Sequence, residues 1–338
     1  MAPAAPTPAA PAAPTGRGRI ASTHAYPRRP EWVSRVDLVY ERGAPWAAQV
    51  RRLVGDVAAR YELLILDGSI GIASRSPDLA SAALIARRRR PPRIMLTECN
   101  WKPGSGASRV LRHIGIRAVD RAVVRYCVYT TAELEAFPPR WAVDPGKMAF
   151  TPFYYHLSDE ELAQPPIAGR HVFSGGDSLR DYATLAEVAR NLPAIPFRIA
   201  SATTRLDSPP PNVEVGRVPH AEYIQLVRSA AVLVVPLRAG VIRTAGLETF
   251  LTGMALGKLI ITTDSPGIRD YVDDRRTGLI VPPGDAGAMT EAIAWAVDEA
   301  NADEVARIAA AGRESARRDF SPDAYVARLL EIAEEVLA

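Results

Sequence analysis

The sequence predicts an α/β fold of two doubly wound, Rossmann-like lobes that face a cleft. Its 338 residues are enough for about two domains. Hydrophobic residues make up 48% of the chain and charged residues 23%, an ordinary balance that excludes a mostly disordered or coiled-coil protein. Short aliphatic runs alternate with longer helical stretches, a pattern typical of parallel sheets. Two such lobes bind ligands where the carboxyl ends of their strands meet.

The first sixteen residues contain only Ala, Pro, Thr and Gly after the initiator Met. Proline at this density prevents a helix, so residues 1–16 are predicted to be a disordered leader. The leader lacks the charged start of a secretory signal, and no apolar run approaches the roughly 18 residues that span a bilayer. The two cysteines, Cys99 and Cys127, cannot form a disulfide framework. We expect a cytoplasmic protein, with the inner face of the membrane as an alternative.

An N-terminal lobe is predicted over residues 17–165. Its strands are expected at residues 36–40, 62–66, 93–97 and 123–129. Its helices are expected at residues 45–59, 77–88 and 108–118. The proline-containing link at residues 164–166 precedes a new strand and marks the predicted boundary.

A C-terminal lobe is predicted over residues 166–320, followed by a terminal helix over 321–338. Its strands are expected at residues 171–174, 197–200, 213–215, 231–236, 259–262 and 278–281. Its helices are expected at residues 182–191, 220–229, 246–256, 286–299 and 303–318.

Two glycine-containing loops of this lobe are candidate phosphate sites. Gly175 and Gly176 end a strand, where glycine lets backbone N–H groups approach a phosphate closely. Arg180 follows on the same loop and would either bind phosphate or pair with a neighbouring aspartate. Arg243 and Gly246 precede a helix, whose start carries unpaired N–H groups and partial positive charge. Gly246 is alternatively an ordinary loop glycine.

Five segments of the same lobe carry a resemblance. The stretches LTGMALGKLIITTD, SPGIRDYV and TGLIVPPGD resemble, in order and spacing, the C-terminal lobe of the group 1 family of retaining glycosyltransferases. Upstream, VFSGGDSLRDYATL and VGRVPHAEYIQLVRSAAVLVVPLR resemble the first loop and the base-binding part of that lobe. The resemblance covers residues 171–300 well and 93–155 loosely. It implies the two-lobed B fold and a nucleotide-sugar donor.

The resemblance also implies roles for single residues. Arg180 falls where the family carries a lysine that contacts the donor diphosphate. Gly216 and Val218 fall where the nucleobase meets backbone groups, although a structural turn explains them equally well. Thr249 is expected to add a hydroxyl to the donor site.

The chain departs from the family at a pair of glutamates spaced eight residues apart. Thr244 and Thr252 stand at those two positions, the second of which holds the donor ribose in the family. Glu248 lies between them, four residues before Thr252. It would either supply a carboxylate to the ligand or stabilise the helix start, and both interpretations stay open.

In the first lobe, Glu98 and Asn100 follow the strand at residues 93–97 and are candidate catalytic residues. Glu98 would orient the acceptor hydroxyl or stabilise positive charge at the anomeric carbon. The competing interpretation is a carboxylate buried to bind backbone amides. Asp67 also follows a strand, but we interpret it as a turn residue. The five histidines lack metal-ligand spacing, so neither a metal nor a cofactor is expected.

The charge is unevenly distributed along the chain. Residues 1–150 carry 23 basic and 12 acidic side chains, whereas residues 151–338 carry 18 and 26. Arg109 and Arg112 surround Val110, Leu111 and Ile114, which suggests a basic amphipathic helix face. Such a face suits an anionic membrane better than nucleic acid, because few aromatic residues accompany it. A solvated face is the alternative.

The sequence therefore predicts a retaining, metal-independent glycosyltransferase. It would move a sugar from a nucleotide diphosphate bound by the C-terminal lobe to a hydroxyl acceptor on the side of the N-terminal lobe, which is short for this fold. A lipid-linked or anionic acceptor is expected, in polysaccharide, glycolipid or glycoconjugate biosynthesis. Two alternatives stay open: a non-catalytic nucleotide-sugar-binding homologue that lost the paired glutamates, and a sugar-nucleotide epimerase of the same fold.

Overall fold

A computed structural model describes residues 18–69, 77–102, 104–165, 167 and 169–338. The predicted leader at residues 1–16 lies outside the described residues. The chain forms two compact units: the first ends at Tyr126 and includes Ala333–Ala338, and the second is Cys127–Ile332. This division falls earlier than residue 165 because side chains such as Tyr129 and Tyr155 are buried in the core of the second unit.

Six strands form the first sheet, in the order β2-β1-β3-β4-β5-β6. Their bounds are β1 (Gly18–Ser22), β2 (Asp37–Leu38), β3 (Tyr61–Asp67), β4 (Arg93–Thr97), β5 (Val123–Val128) and β6 (Met148–Phe150). The pairs β1–β2, β1–β3, β3–β4 and β4–β5 are all parallel. The strand order reverses between β1 and β3, which makes their carboxyl ends the expected ligand-binding edge.

Within the described residues, six helices lie between the strands of the first sheet in the order of the sequence. They are α1 (Pro30–Arg35), α2 (Trp46–Arg52), α3 (Ala58–Arg60), α4 (Pro77–Ile85), α5 (Gly106–Asp120) and α6 (Thr131–Trp141). A π-helical turn over Leu53–Val57 joins α2 to α3, so the predicted helix at 45–59 is one interrupted helix.

The second sheet also has six strands, in the order β12-β11-β10-β7-β8-β9, and every pair is parallel. The strands are β7 (His171–Gly175), β8 (Phe197–Ala200), β9 (Val213–Gly216), β10 (Ala230–Val235), β11 (Ile260–Thr263) and β12 (Leu279–Val281). The helices are α7 (Asp159–Ala163), α8 (Tyr182–Asn191), α9 (His220–Arg228), α10 (Leu247–Ala255), α11 (Ala286–Val297), α12 (Ala302–Asp319) and α13 (Pro322–Leu337). Here the order reverses between β7 and β10.

Both faces of the second sheet are buried, which explains its continuous apolar strands. Along β10, Leu233 and Val235 belong to one hydrophobic core, and Val232 and Val234 belong to the core on the opposite face. Successive side chains of a strand point to opposite faces, so one strand can serve both cores. Packed cores on both faces of the sheet therefore support the carboxyl ends of β7 and β10.

No helix in the described ranges is long and apolar enough to cross a bilayer.

Candidate active site

The loops after β7 and β10 meet at the switch point of the second sheet, and glycine shapes the first of them. Gly175 ends β7, and Gly176 has a φ of +100°. A Cβ atom on Gly175 would lie 2.5 Å from the Tyr223 hydroxyl oxygen, and one on Gly176 would lie 2.7 Å from Nη2 of Arg180. Both positions therefore require glycine, because any side chain would displace the groups that line this loop.

Arg180 is the central cation of this loop. Its side chain is buried, with 5% relative exposure. Nε donates to the Gly175 carbonyl at 2.9 Å, Nη1 to the Ser178 carbonyl at 2.9 Å, and Nη2 to the Thr249 hydroxyl at 3.1 Å. Burial lowers the pKa of Arg180. These three bonds use three of the five N–H groups of the guanidinium.

The aspartates that the sequence offered as partners for Arg180 have other partners. Asp177 accepts hydrogen bonds from the Ser201 hydroxyl and from the backbone of Thr203. Asp181 caps α8 by accepting from the Thr184 amide at 3.2 Å. Within the described residues, Arg180 forms no salt bridge.

The start of α10 provides the second half of the site. Gly246 precedes the helix with a φ of +82°, and a Cβ there would lie 2.6 Å from Val235 Cγ1 and 3.3 Å from Arg180 Nη1. No side chain of the described chain caps this end of α10. Its first amide groups are thus available to an anion. Thr249, which is 6% exposed, lies in the first turn and receives the bond from Arg180.

Arg243 links the two loops a second time. Its Nη2 donates to the Ser178 hydroxyl at 3.1 Å. The side chain is half-buried, and this burial lowers the pKa of Arg243. The structure therefore brings together six of the predicted donor residues: Gly175, Gly176, Arg180, Arg243, Gly246 and Thr249.

The two threonines at the positions of the family's paired glutamates are buried. Thr244 is fully buried and donates to the Pro266 carbonyl at 2.6 Å. Thr252 is 5% exposed on α10. Glu248 is exposed on the first turn of the same helix, with Oε1 3.8 Å from Nδ1 of His156. The roles of Thr252 and Glu248 toward a donor stay predictions.

Gly216 and Val218 lie at the end of β9 and just beyond it. The Gly216 carbonyl accepts from the Ser201 amide at 3.0 Å, and a Cβ on Gly216 would meet nothing within 4 Å. Val218 is half-buried against the core. Their contact with a nucleobase stays a prediction.

A polar cluster occupies the carboxyl ends of β1, β3 and β4 in the first unit. His24 follows β1, and its Nε2 lies 2.7 Å from the Thr97 hydroxyl at the end of β4. Asp67 ends β3 and accepts from the Ser69 amide at 2.7 Å. Burial lowers the pKa of His24, and the charge of Asp67 opposes this effect. A neutral imidazole is therefore favoured.

Asp78 on α4 ties these strand ends together. It is 3% exposed and accepts from the Asp67 amide at 2.8 Å and from the Thr23 hydroxyl. Burial raises the pKa of Asp78 to about 6. The Asp78 carboxyl group thus holds together the carboxyl ends of β1 and β3, where His24 and Asp67 lie.

Glu98 has the most unusual environment in this cluster. Its φ of +56° is in the left-handed region, which costs about 1 kcal/mol or more for a residue with a side chain. Burial, and secondly the charge of Asp67, raises the pKa of Glu98 to about 7. Among the described residues, none donates a hydrogen bond to its carboxylate. Asn100 is nearby in sequence, and its amide donates to the Glu98 carbonyl at 2.7 Å.

Sequence reasoning missed His24 and undervalued Asp67. The missed signal is the short strand β1, GRIAS, which directly precedes His24 but follows the proline-rich leader. Once β1 and β3 are known to flank the switch point, both residues fall at the expected ligand edge. No cluster of three or more metal-ligating side chains occurs in the ranges that the structure describes.

Comparison with known proteins finds one matching family model and several solved structures with a similar fold. The family model of group 1 glycosyl transferases matches residues 199–299, which include Arg243, Gly246 and Thr249. A glycosyltransferase from Rickettsia africae has a similar fold, with a TM-score of 0.63 and 15% identity over 94% of this chain and 89% of that one. The chain is a glycosyltransferase with a group 1 domain. The predicted α/β fold with two Rossmann-like lobes is confirmed.

Two other solved structures resemble this glycosyltransferase. Anabaena HepE, solved in complex with UDP and glucose, has a TM-score of 0.62 and 15% identity over 90% of this chain and 85% of that chain. The sucrose-phosphate synthase of Thermosynechococcus elongatus has a TM-score of 0.58 and 19% identity, over 82% and 74% of the two chains. No curated protein sequence matches the glycosyltransferase.

Proposed function

We propose that the glycosyltransferase binds the diphosphate of a nucleotide sugar at the switch point of its second sheet. The hydrogen bond from Arg180 to Thr249 carries this proposal, because it joins the glycine loop to the uncapped start of α10. The guanidinium of Arg243 completes the anion site, whereas the Gly176 amide already donates to the Ala200 carbonyl at 2.9 Å. Such a site is built to receive negative charge from two sides.

The positive charge of this site favours an anionic ligand. Arg180 and Arg243 supply two cations, and the α10 start supplies partial positive charge. Since these groups can stabilise a leaving diphosphate directly, we propose transfer that does not depend on a metal ion.

A uridine diphosphate sugar is the first donor to test. Its support is the similarity to Anabaena HepE, which has been solved with UDP and with UDP-glucose. Gly216 and Val218 would lie beside the base, and Thr252 or the exposed Glu248 would meet the ribose. A carboxylate can accept hydrogen bonds from both ribose hydroxyls, so Glu248 is the stronger candidate for that contact.

We assign the acceptor to the polar strand ends of the first unit. A carboxyl with a pKa of about 7 exchanges a proton readily at neutral pH, which suits Glu98 for accepting the proton of the acceptor hydroxyl. Asn100 would orient the same hydroxyl. The acceptor itself would be a polysaccharide, glycolipid or other glycoconjugate.

In the proposed step, the acceptor oxygen forms a bond to the anomeric carbon, and the bond from that carbon to the donor phosphate oxygen breaks. The electron pair of the broken bond leaves with the nucleoside diphosphate, and the acceptor proton passes to Glu98. Retention, which the family resemblance implies, requires the new bond to form on the face that the diphosphate leaves.

Calorimetric titration of the full chain with UDP, GDP and ADP tests the donor site. We expect UDP to bind, Thr249→Val to weaken it by roughly tenfold, and Thr249→Ser to bind as the wild type does, because only valine removes the hydroxyl. Binding of none of the three nucleotides would overturn the donor assignment.

Catalysis needs a separate measurement. Incubation with UDP-sugars and a cell extract, followed by mass spectrometry, should reveal a product that is heavier than an extract component by one sugar residue. Nucleotide binding without any such product across a panel of donors would favour the non-catalytic alternative.

A further inference from the structure

Helix α5 carries an apolar stripe that faces solvent. Val110, Leu111 and Ile114 are 58%, 68% and 60% exposed, whereas Ile116 and Val119 of the same helix are buried. A spacing of three and four residues puts the three exposed side chains on one face. Within the described residues, α5 thus has one apolar face that is buried and another that is uncovered.

Arginines border the uncovered stripe. Arg117 lies three residues after Ile114 and seven after Val110, and Arg121 lies seven after Ile114, so both continue the same side of the helix. Both arginines are exposed, and neither forms a salt bridge with a described residue.

The surrounding segment has almost no compensating negative charge. Asp120 is the single acidic residue between Glu98 and Glu133. Its carboxylate already accepts a hydrogen bond from the Tyr126 hydroxyl at 3.0 Å. Helix α4, which contacts α5, adds Leu84 at 44% exposure and is followed by the arginine run at residues 87–90. The surface around α5 is therefore both apolar and strongly basic.

We propose that α5 binds the surface of an anionic lipid bilayer. The stripe formed by Val110, Leu111 and Ile114 would enter the boundary between headgroups and acyl chains, while Arg117 and Arg121 contact lipid phosphates. Apolar side chains flanked by cations on one helix are typical of helices that lie in this interface. The lipid surface is independent of the donor site, so this inference goes beyond the proposed function.

Two other occupants fit the same surface less well. A second copy of the chain that packed α5 against α5 would bring arginines of like charge together. A nucleic acid would leave the three apolar side chains without a partner, and α5 offers no Phe, Tyr or Trp for base stacking.

Vesicle flotation of the full chain tests the assignment. We expect the protein to float with vesicles of phosphatidylcholine and phosphatidylglycerol in equal amounts, and to stay unbound with phosphatidylcholine alone. Leu111→Asn with Ile114→Asn should abolish flotation, because both side chains are more than half exposed and their loss affects the lipid contact alone. Arg117→Gln with Arg121→Gln should lower the bound fraction by roughly fivefold per arginine.

Matched controls come from elsewhere in the first unit. Val33→Asn removes an apolar side chain that is 59% exposed, and Arg42→Gln removes an exposed arginine; both should float as the wild type does. Equal binding to neutral vesicles, no binding to anionic ones, or equal losses in the controls would overturn the proposal. So would a dimer, seen by sedimentation, or DNA binding that the α5 variants abolish. Circular dichroism and UDP calorimetry check that each variant remains folded.

Discussion

Glu98→Gln should stabilise the folded chain, and the gain should grow with pH. Glutamine keeps the size of the side chain and the left-handed backbone, so the two proteins differ mainly in one buried charge. The pKa of Glu98 is about 7 in the folded chain and near 4.5 in an unfolded one. The stability associated with the protonated carboxyl is therefore fully present below pH 4.5 and is lost as the pH rises through 7.

The size of the effect follows from that pKa difference. Each pH unit within the window contributes ~1.4 kcal/mol, so the wild type loses up to about 3 kcal/mol of unfolding free energy between pH 4 and pH 8. Glutamine does not titrate, and Glu98→Gln avoids this loss. The variant should at the same time lose sugar transfer while keeping its affinity for UDP, because Glu98 is assigned to the acceptor.

Urea unfolding at pH 5 and pH 8 measures the difference. Glu62→Gln, which removes an exposed carboxylate from β3, is the matched control and should differ from the wild type equally at the two pH values. The reasoning fails if Glu98→Gln changes the unfolding free energy by the same amount at pH 5 and pH 8, or if it is the less stable protein at pH 8.

Further predictions concern the neighbours of these groups. Asp67→Asn removes the charge that, after burial, raises the pKa of Glu98, so the acid limb of the pH–rate profile should move to lower pH; an unmoved limb would contradict the coupling. Gly246→Ala should lower the free energy of unfolding, measured in urea, by about 3 kcal/mol, because a φ of +82° is combined with a clash against the core. The control Gly284→Ala has a similar φ of +75° but nothing within 4 Å of the added Cβ, so it should lower the free energy of unfolding by about 1 kcal/mol. Arg180→Lys should weaken UDP binding by roughly tenfold in calorimetry, because lysine cannot reach two loops with one planar group; unchanged binding would contradict this role.

The fold of the chain from residue 171 onward could be predicted closely from the sequence. Strand β8 and helix α8 have the predicted bounds, and the other strands differ by one or two residues. These strands are buried on both faces and read as unbroken apolar runs between clear turn residues. The turn residues between these apolar strands also made it possible to predict the loops around Arg180 and Gly246.

The part of the chain before residue 151 could be predicted less well. Strand β2 has two residues where five were expected, and β1, α1, α6 and β6 were not anticipated. Helix α6 contains Pro138 and Pro139, which normally end a helix, and it continues because its N-cap Thr130 and the surrounding core hold it. Local signals fail where tertiary packing decides the conformation.

The candidate site shows the same contrast. Glycines and an arginine near a strand end are visible in a sequence, so the two loops proposed to bind the donor could be predicted. The proximity of His24 to Thr97 depends on the pairing of β1 with β3 and of β3 with β4, which joins residues 73 positions apart. Such long-range pairing leaves no local pattern to detect.

The burial of Arg180 has a consequence for handling the protein. A buried cation that forms no salt bridge with any described residue is a source of instability in the second unit as long as no ligand is bound. A bound diphosphate would relieve it, so the melting temperature should report occupancy of the site and rise with nucleotide concentration. The choice of buffer then matters: phosphate or sulfate would act as a partial substitute for the donor, and a screen of melting temperatures could rank nucleotides before any acceptor is known.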